Sequence, residues 1–199
     1  MNKRILVPLA LFVLAALTLT ACGGGGSSSA EGEITEAIEK SATTADPSNC
    51  TETETLSFVE QNSAVKGKEA IKGCEEEAEA GEEQAKKANV SNISVNGEKA
   101  TAEVEFEGGS LDAQTLEVGL VEEGGKWKLD QVEGFADYNG EALEKAFKKE
   151  FEEEAEGVKP EVASCISEGI GKASKAEAEE LFFSGSPKKI EELAEGCAS

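Results

Sequence analysis

The sequence contains no histidine, and this absence excludes several kinds of chemistry. A Ser-His-Asp triad and a Cys-His nucleophile both need an imidazole, so neither exists in this chain. Metal and dithiol redox sites would need closely spaced cysteines, and the five cysteines here include no C-x-x-C pair. We therefore predict no catalytic residues, no cofactor and no metal site.

Positive charge and aromatic side chains are both scarce. The 199 residues include 19 Lys and Arg against 41 Asp and Glu, which gives a formal net charge of -22, and aromatic residues make up only 5%. Such a chain repels nucleic acid and anionic lipid headgroups, so we expect no nucleic-acid partner. Apolar residues still make up 39% of the chain, which is enough for a folded core.

The longest apolar run lies at the N-terminus. Lys3 and Arg4 precede this run, which ends in the letters L-T-A-C at positions 19–22. A stretch of this length, closed at once by small residues, is typical of a cleaved export signal rather than a membrane-spanning helix. Leucine at minus three, small residues before the cysteine and glycine after it together match the signal of bacterial lipoproteins. We predict that residues 1–21 are removed and that Cys22 is lipidated through its thiol.

A lipid on Cys22 would fix the location of the protein, because several acyl chains anchor durably where one chain holds only marginally. We expect attachment to the outer face of the cytoplasmic membrane, or to the outer membrane of a host that has two membranes. Residues 22–32 are predicted to form the lipidated cysteine and a flexible Gly/Ser tether. An ordinary cleaved signal peptide and an uncleaved anchor are the alternatives.

Four cysteines remain once Cys22 carries lipid: Cys50, Cys74, Cys165 and Cys197. An even number in an exported chain predicts two disulfides, for which three connectivities exist. The chain changes character between the second and third of these cysteines, which suggests that each disulfide lies within its own unit. We therefore predict the pairs Cys50–Cys74 and Cys165–Cys197.

Apolar spacing predicts helices first and strands afterwards. Helices are expected over residues 33–45, after a capping box formed by Thr51 and Glu54, and over residues 68–88. The acidic run at 75–79 is predicted to be a solvated helix face rather than a cation site. From Val90 the apolar period becomes two, and four strands separated by Asn96-Gly97, a loop near Gly108 and Gly124-Gly125 form an antiparallel meander.

The helical period returns after Tyr138. Leu143, Phe147 and Phe151 form one stripe, which is predicted to be core rather than a ligand-binding surface. Further helices are expected to begin at Pro160, at Ser174 and at Ser186-Pro187.

The first part of the chain combines three predicted helices with strands that contain V-E-E-G-G-K-W-K-L at 121–129. One cysteine lies between the first two helices and another lies in the third. This arrangement resembles the NTF2-like, or cystatin-like cone, domains of exported actinobacterial lipoproteins. The resemblance implies an α+β fold in which helices pack on a curled four-stranded antiparallel sheet, over residues 33–138. Phe58, Phe106 and Trp127 are the candidate lining of such a cone. Residues 139–199 resemble small all-α modules linked by a disulfide.

The expected function is that of a non-catalytic lipoprotein whose NTF2-like domain binds a small apolar ligand or a protein partner. A structural or accessory spacer subunit is one alternative, and a cyclase- or isomerase-type enzyme is another. Enzymes of this superfamily use Asp, Tyr or His inside the cone. We expect Tyr138, Asp112 and Asp130 in turns or facing outward, so no catalytic residue is carried over. The enzyme alternative predicts a buried carboxylate with a raised pKa in the cone.

Overall fold

Eight helices and four strands make up the part of the chain that the computed structural model describes, namely residues 26–63, 65–80, 84–154, 159–184 and 188–198. In chain order the elements are α1 Gly26–Thr43, α2 Asn49–Glu52, α3 Leu56–Ser63, α4 Lys68–Ala80, β1 Lys87–Asn96, β2 Lys99–Glu107, β3 Thr115–Glu123, β4 Lys126–Asp137, α5 Gly140–Glu154, α6 Pro160–Lys172, α7 Lys175–Phe183 and α8 Lys188–Ala198.

The four strands form one antiparallel sheet in the order β1-β2-β3-β4, as the sequence predicts. Tight turns join the outer pairs of strands. Gly97 has φ +65°, and Gly124 and Gly125 have φ +62° and +79°, a region that favours glycine. The sheet is open, with β1 at one edge and β4 at the other. The α+β class and the meander are therefore confirmed.

One face of the sheet, called the inner face below, carries the core. The two-residue period of the strands places their apolar side chains on this face, where α1, α3 and α7 cover them. Helix α1 contacts both edge strands, β1 and β4, and so crosses the face. The buried residues of this core are Ile34, Ile38, Ala88, Ala100, Ala102, Val104, Leu116, Val118, Leu120, Trp127, Leu129, Val132, Phe135 and Ala178.

Helices also cover the outer edge of β4. The amide of Gln61 in α3 accepts from Val132 N–H at 2.8 Å and donates to Val132 C=O at 2.9 Å, as a neighbouring strand would. The same amide nitrogen donates to Phe183 C=O at the end of α7. Further along the edge, the Glu179 carboxylate of α7 accepts from Phe135 N–H at 3.1 Å. These contacts satisfy backbone groups that an uncovered edge would leave unpaired.

The predicted capping box at Thr51 is wrong. Thr51 lies inside α2, and it is Thr55 whose hydroxyl accepts from Phe58 N–H, at 3.2 Å, at the start of α3. The reason is the sheet, because Thr55 N–H donates to Leu129 C=O at 2.8 Å and Glu54 forms a parallel bridge with Leu129. The stretch before α3 is thereby held extended along β4.

Helix α1 begins earlier than the sequence predicts. Residues 26–32, predicted to belong to the flexible tether, lie in the first turns of α1. Adding turns to an existing helix costs far less than nucleating one, and Ile34 and Ile38 pack this helix firmly on the sheet. Thr35 adds a hydrogen bond from its hydroxyl to Glu31 C=O at 2.8 Å.

Helix α4 ends at Ala80, earlier than the predicted limit of 88. Residues 81–83 lie outside the described part, and β1 has already begun at Lys87, which pairs with Glu107. Pairing with β2 thus overrides the helical propensity of the lysine- and alanine-rich sequence before Val90.

The last four helices form a second cluster. The predicted stripe is confirmed as core, since Leu143 is fully buried and Phe147 and Phe151 pack with it against α6. Helix α7 begins with the expected cap, in which Glu177 N–H donates to Ser174 Oγ. The start predicted at Ser186-Pro187 lies outside the described residues, and α8 is described from Lys188.

Candidate functional site

The three predicted cone-lining residues all belong to the core of the inner face, with Phe106 and Trp127 near opposite ends of the sheet. Trp127 is buried, and Phe58 and Phe106 are partly buried and pack against the same cluster. Phe135 adds ring contacts to Tyr138 and Phe183, each with centroids 5.0 Å apart. The side chains of the protein itself therefore occupy the face that the sequence proposes as a ligand-binding cone.

The tyrosine considered for catalysis has a structural role. The Tyr138 hydroxyl donates to the C=O groups of Ala173, at 3.0 Å, and Ile170, at 3.3 Å. Partial burial, with a smaller contribution from the Glu177 carboxylate, raises the pKa of Tyr138. The side chain thus ties the end of β4 to the end of α6.

The two aspartates considered for catalysis differ in position. Asp112 lies in the loop between β2 and β3, where its carboxylate accepts from Gly108 N–H. Asp130 lies on β4 and accepts from the Thr55 hydroxyl at 2.9 Å, so it is engaged with the segment before α3. Neither carboxylate belongs to the buried core.

Glu54 is the carboxylate that the structure singles out, whereas the sequence predicts it only as part of a helix cap and does not otherwise distinguish it among 41 acidic residues. Its backbone bridges to Leu129 at the edge of β4, which turns its side chain toward α1 and α4. The Ser41 hydroxyl of α1 donates to Glu54 Oε1 at 2.6 Å, and Glu54 Oε2 lies 3.9 Å from Cys74 Sγ. Burial raises the pKa of the Glu54 carboxyl, and the hydrogen bond from Ser41 opposes this in part.

The predicted disulfides Cys50–Cys74 and Cys165–Cys197 are both present. The first joins α2 to α4, and the second joins α6 to α8. The sulfurs of Cys50 and Cys74 and a carboxylate oxygen of Glu54 all lie within 4.8 Å of one another. Across the described residues, this is the one group of three or more Cys, Asp and Glu side chains with such spacing.

A cleft of about 340 Å³ opens beside this group, and we call it the disulfide cleft. Leu56, whose side chain is 46% exposed, and the half-buried Ile71 make part of its wall apolar. Lys128 lies at its rim and donates to Thr51 C=O at 2.7 Å. The cleft lies between α2, α3 and α4, away from the core of the inner face.

A second cleft of about 460 Å³ lies between the β2–β3 loop and α5. Lysines and carboxylates line it in equal number: Lys86, Lys145, Lys149, Asp112, Glu141 and Glu150. Behind it, the fully buried Gln114 donates to Asn139 C=O and accepts from Asn139 N–H, both at 2.9 Å. This contact fixes the loop against the start of α5, and the balanced charges favour no class of ligand.

The acidic face of α4 is solvent-facing, as predicted. Glu76 and Glu79 are exposed, and Lys72 pairs with Glu76 at 2.6 Å, one turn away. Glu82 and Glu83 lie outside the described residues, as does Cys22.

Among the helices that are described, none is both long and apolar enough to span a membrane.

No known family, curated protein or solved structure matches this chain. The site must therefore be interpreted from its own geometry. That geometry consists of a filled inner face and, at the edge of β4, a partly buried carboxylate beside a disulfide and a partly apolar cleft.

Proposed function

We propose that this chain is a lipid-anchored protein on the outer face of a bacterial membrane, and that it acts by binding a protein partner rather than by catalysis. The L-T-A-C signal at 19–22 supports the anchor. Two disulfides support an oxidising compartment outside the cytoplasm, where such bonds persist.

The observation that carries the choice of a protein partner is the filled inner face. A small apolar ligand would need a hollow there, whereas Val104, Leu120 and Trp127 are buried beneath the helices. Recognition is then left to the outer surfaces. The net charge of -22 favours a basic partner, because a strongly acidic surface attracts positive charge and repels anions.

Catalysis is less well supported than binding. The partly buried carboxylate with a raised pKa, Glu54, lies outside the inner face and contacts a disulfide and a hydroxyl. The Ser41 hydroxyl donates to this carboxylate, but the chain has no histidine to activate a hydroxyl as a nucleophile. The Tyr138 hydroxyl donates to backbone carbonyls at the end of α6.

We also infer that residues 33–138 form an NTF2-like domain and that residues 139–199 form a separate helical module. Two features support the first unit. Its helices precede a four-stranded antiparallel meander, and α1 crosses the inner face of that sheet. The cluster around Leu143, Ile166 and Ile170 and the Cys165–Cys197 bond support the second unit, and α7 joins it to the first by packing on the inner face through Ala178.

Photo-cross-linking in cells tests the binding function. A cross-linking amino acid replaces, one at a time, four exposed apolar residues from different parts of the fold: Leu56, Val65, Val95 and Ile190. We expect one discrete protein adduct from one or two neighbouring positions. Added salt should lower the yield of this adduct, because salt screens the attraction between the acidic chain and a basic partner. Adducts of equal yield from all four positions, or none, would favour a spacer. A large thermal shift with a lipid extract and no adduct would favour a small ligand.

Metabolic labelling with a palmitate analogue tests the anchor. We expect label on the wild-type chain and none on Cys22→Ala, with Cys165→Ala as a control that keeps the label. Absence of label from the wild-type chain would overturn the proposed location.

A further inference from the structure

Two sulfurs and a carboxylate converge where α2, α4 and the segment before α3 meet. Cys50, Cys74 and Glu54 place their ligand atoms within 4.8 Å of one another. We propose that reduction of the Cys50–Cys74 disulfide converts this group into a zinc site, with two thiolates and one carboxylate as its protein ligands. The inference is independent of the partner-binding function.

One of the three ligand-to-ligand distances already fits zinc. Zn²⁺ binds thiolate sulfur at about 2.3 Å and carboxylate oxygen at about 2.1 Å in a tetrahedron, which places ligand atoms about 3.5–3.8 Å apart. Glu54 Oε2 and Cys74 Sγ are already 3.9 Å apart. The two cysteine Cα atoms are 6.1 Å apart, so modest rotations of the side chains suffice to open the sulfurs from bonding distance to about 3.8 Å.

The charges of the three ligands favour a cation at this point, although Lys68 and Lys128 line the same cleft. The carboxylate of Glu54 is half-buried, and its Oε1 meets the neutral hydroxyl of Ser41 at 2.6 Å. Reduction would add two buried or half-buried thiols beside it, at Cys50 and Cys74. A divalent cation would compensate the negative charge that thiolates and carboxylate bring together there. The Ser41 hydroxyl would keep its hydrogen bond and orient the carboxylate, as outer partners of metal ligands do.

The disulfide cleft supplies access. Cys50 and Glu54 both line this space of about 340 Å³, which extends past Gly67 and Ile71 to the surface. A zinc ion with three protein ligands keeps a fourth position for water, and the cleft provides room for it.

The conversion balances with a dithiol as reductant. The dithiol gives two electrons and two protons to the Cys50–Cys74 bond, becomes a cyclic disulfide and leaves two protein thiols. Zinc binding then releases one proton from each thiol, because the thiolate is the ligand. Exchange with a disulfide oxidant, which takes up two electrons and two protons and leaves as a dithiol, reforms the Cys50–Cys74 bond and releases the metal.

Cobalt and zinc titration of the mature chain tests the proposal. Cys22→Ser is present in every sample, and a phosphine reductant replaces the dithiol because it competes weakly for metal. We expect the reduced chain to bind one Co²⁺ with thiolate-to-cobalt charge-transfer absorbance, and Zn²⁺ to displace it. The oxidised chain serves as the first control and should bind neither metal at this site.

Matched variants separate this site from other thiols. Cys50→Ser/Cys74→Ser should abolish the charge-transfer band, and Cys165→Ser/Cys197→Ser should retain it. Glu54→Gln should weaken zinc binding by more than about tenfold, since losing even an outer partner costs about 10–100-fold. Glu123→Gln, at the rim of the same cleft, should bind like the wild type.

Three results would overturn the proposal. One is a reduced chain that keeps its Trp127 fluorescence and binds no metal. Another is equal zinc affinity in the wild type and Glu54→Gln. The third is a reduced chain that unfolds and does not refold when zinc is added, because a genuine site would couple binding to folding.

Discussion

A carboxylic acid held against a disulfide makes stability depend on pH in a direction opposite to that of most acidic residues. Burial raises the folded-state pKa of Glu54 above its ordinary value of 4.5. Between these two values the folded chain holds a proton that the unfolded chain has lost. The free energy of unfolding contributed by this group therefore falls as the pH rises through that interval, and it stays low above it.

Glu54→Gln removes this titration and keeps an acceptor for the Ser41 hydroxyl. In the oxidised protein, we expect the variant to gain stability relative to the wild type as the pH rises from about 4.5, and the difference to level off above the raised pKa. Urea unfolding followed by Trp127 fluorescence at a series of pH values measures that difference. Glu123→Gln, the same substitution at an exposed position of the same cleft, is the control for the loss of one carboxylate. A Glu54→Gln difference that is flat with pH would contradict the assignment.

At the scale of elements, α8 depends on its disulfide. It packs on α6 through Leu193, which lies so close to Gly169 that a Cβ there would meet Leu193 Cδ1 at 2.6 Å. The Cys165–Cys197 bond closes a loop of 32 residues, for which chain entropy predicts a contribution of about 3–4 kcal/mol.

We expect Cys165→Ser/Cys197→Ser to lower the free energy of unfolding of the helical module by about that amount. Hydrogen exchange should then show loss of amide protection in α8, with protection kept in β2 and β3, because α8 makes no dominant contact with the sheet. Cys50→Ser/Cys74→Ser, which should deprotect α4 instead, is the matched control. Lost protection across β2 and β3 in the first variant would show that the two units unfold together.

The elements also show what the sequence can and cannot predict. The strands were predictable because alternation along β2 and β3 marks one buried face, and Asn96-Gly97 marks a turn. The start of α1 and the end of α4 were not predictable, because packing on the sheet decides the first and pairing of β1 with β2 decides the second. Local sequence patterns therefore predict which elements form, whereas tertiary contacts decide where those elements begin and end.

The candidate site was the least predictable part for the same reason. Gln61 and Glu54 acquire their roles only when α3 and the segment before it lie along β4, about seventy residues later in the chain. The disulfide partners were predictable because spacing and an even count constrain them. A carboxylate that contacts such a bond through the fold has no local sign, since its neighbours in sequence are ordinary polar residues.

Two electrostatic effects compete across the whole molecule. Exposed ion pairs such as Lys72–Glu76 and Lys172–Glu168 stabilise the fold only weakly, because both partners are solvated, and salt weakens them further. The formal net charge of -22 acts the other way, because the uncompensated carboxylates repel one another most strongly in the compact state. The proposed removal of residues 1–21, which carry two cations and no acids, would increase this excess.

We expect the repulsion to dominate, so that salt stabilises the protein. Raising ionic strength from about 0.01 M to 0.15 M shortens the screening length from about 30 Å to about 8 Å, which weakens repulsion between distant carboxylates more than it weakens the ion pairs in contact. A gain of about 1 kcal/mol would raise Tm by about 2–4 °C in a chain of this size. Differential scanning calorimetry in sodium chloride and in sodium perchlorate at equal ionic strength measures it, since screening does not depend on the anion. A Tm that falls with both salts would mean that the ion pairs, and not the excess of carboxylates, control the electrostatic stability of the fold.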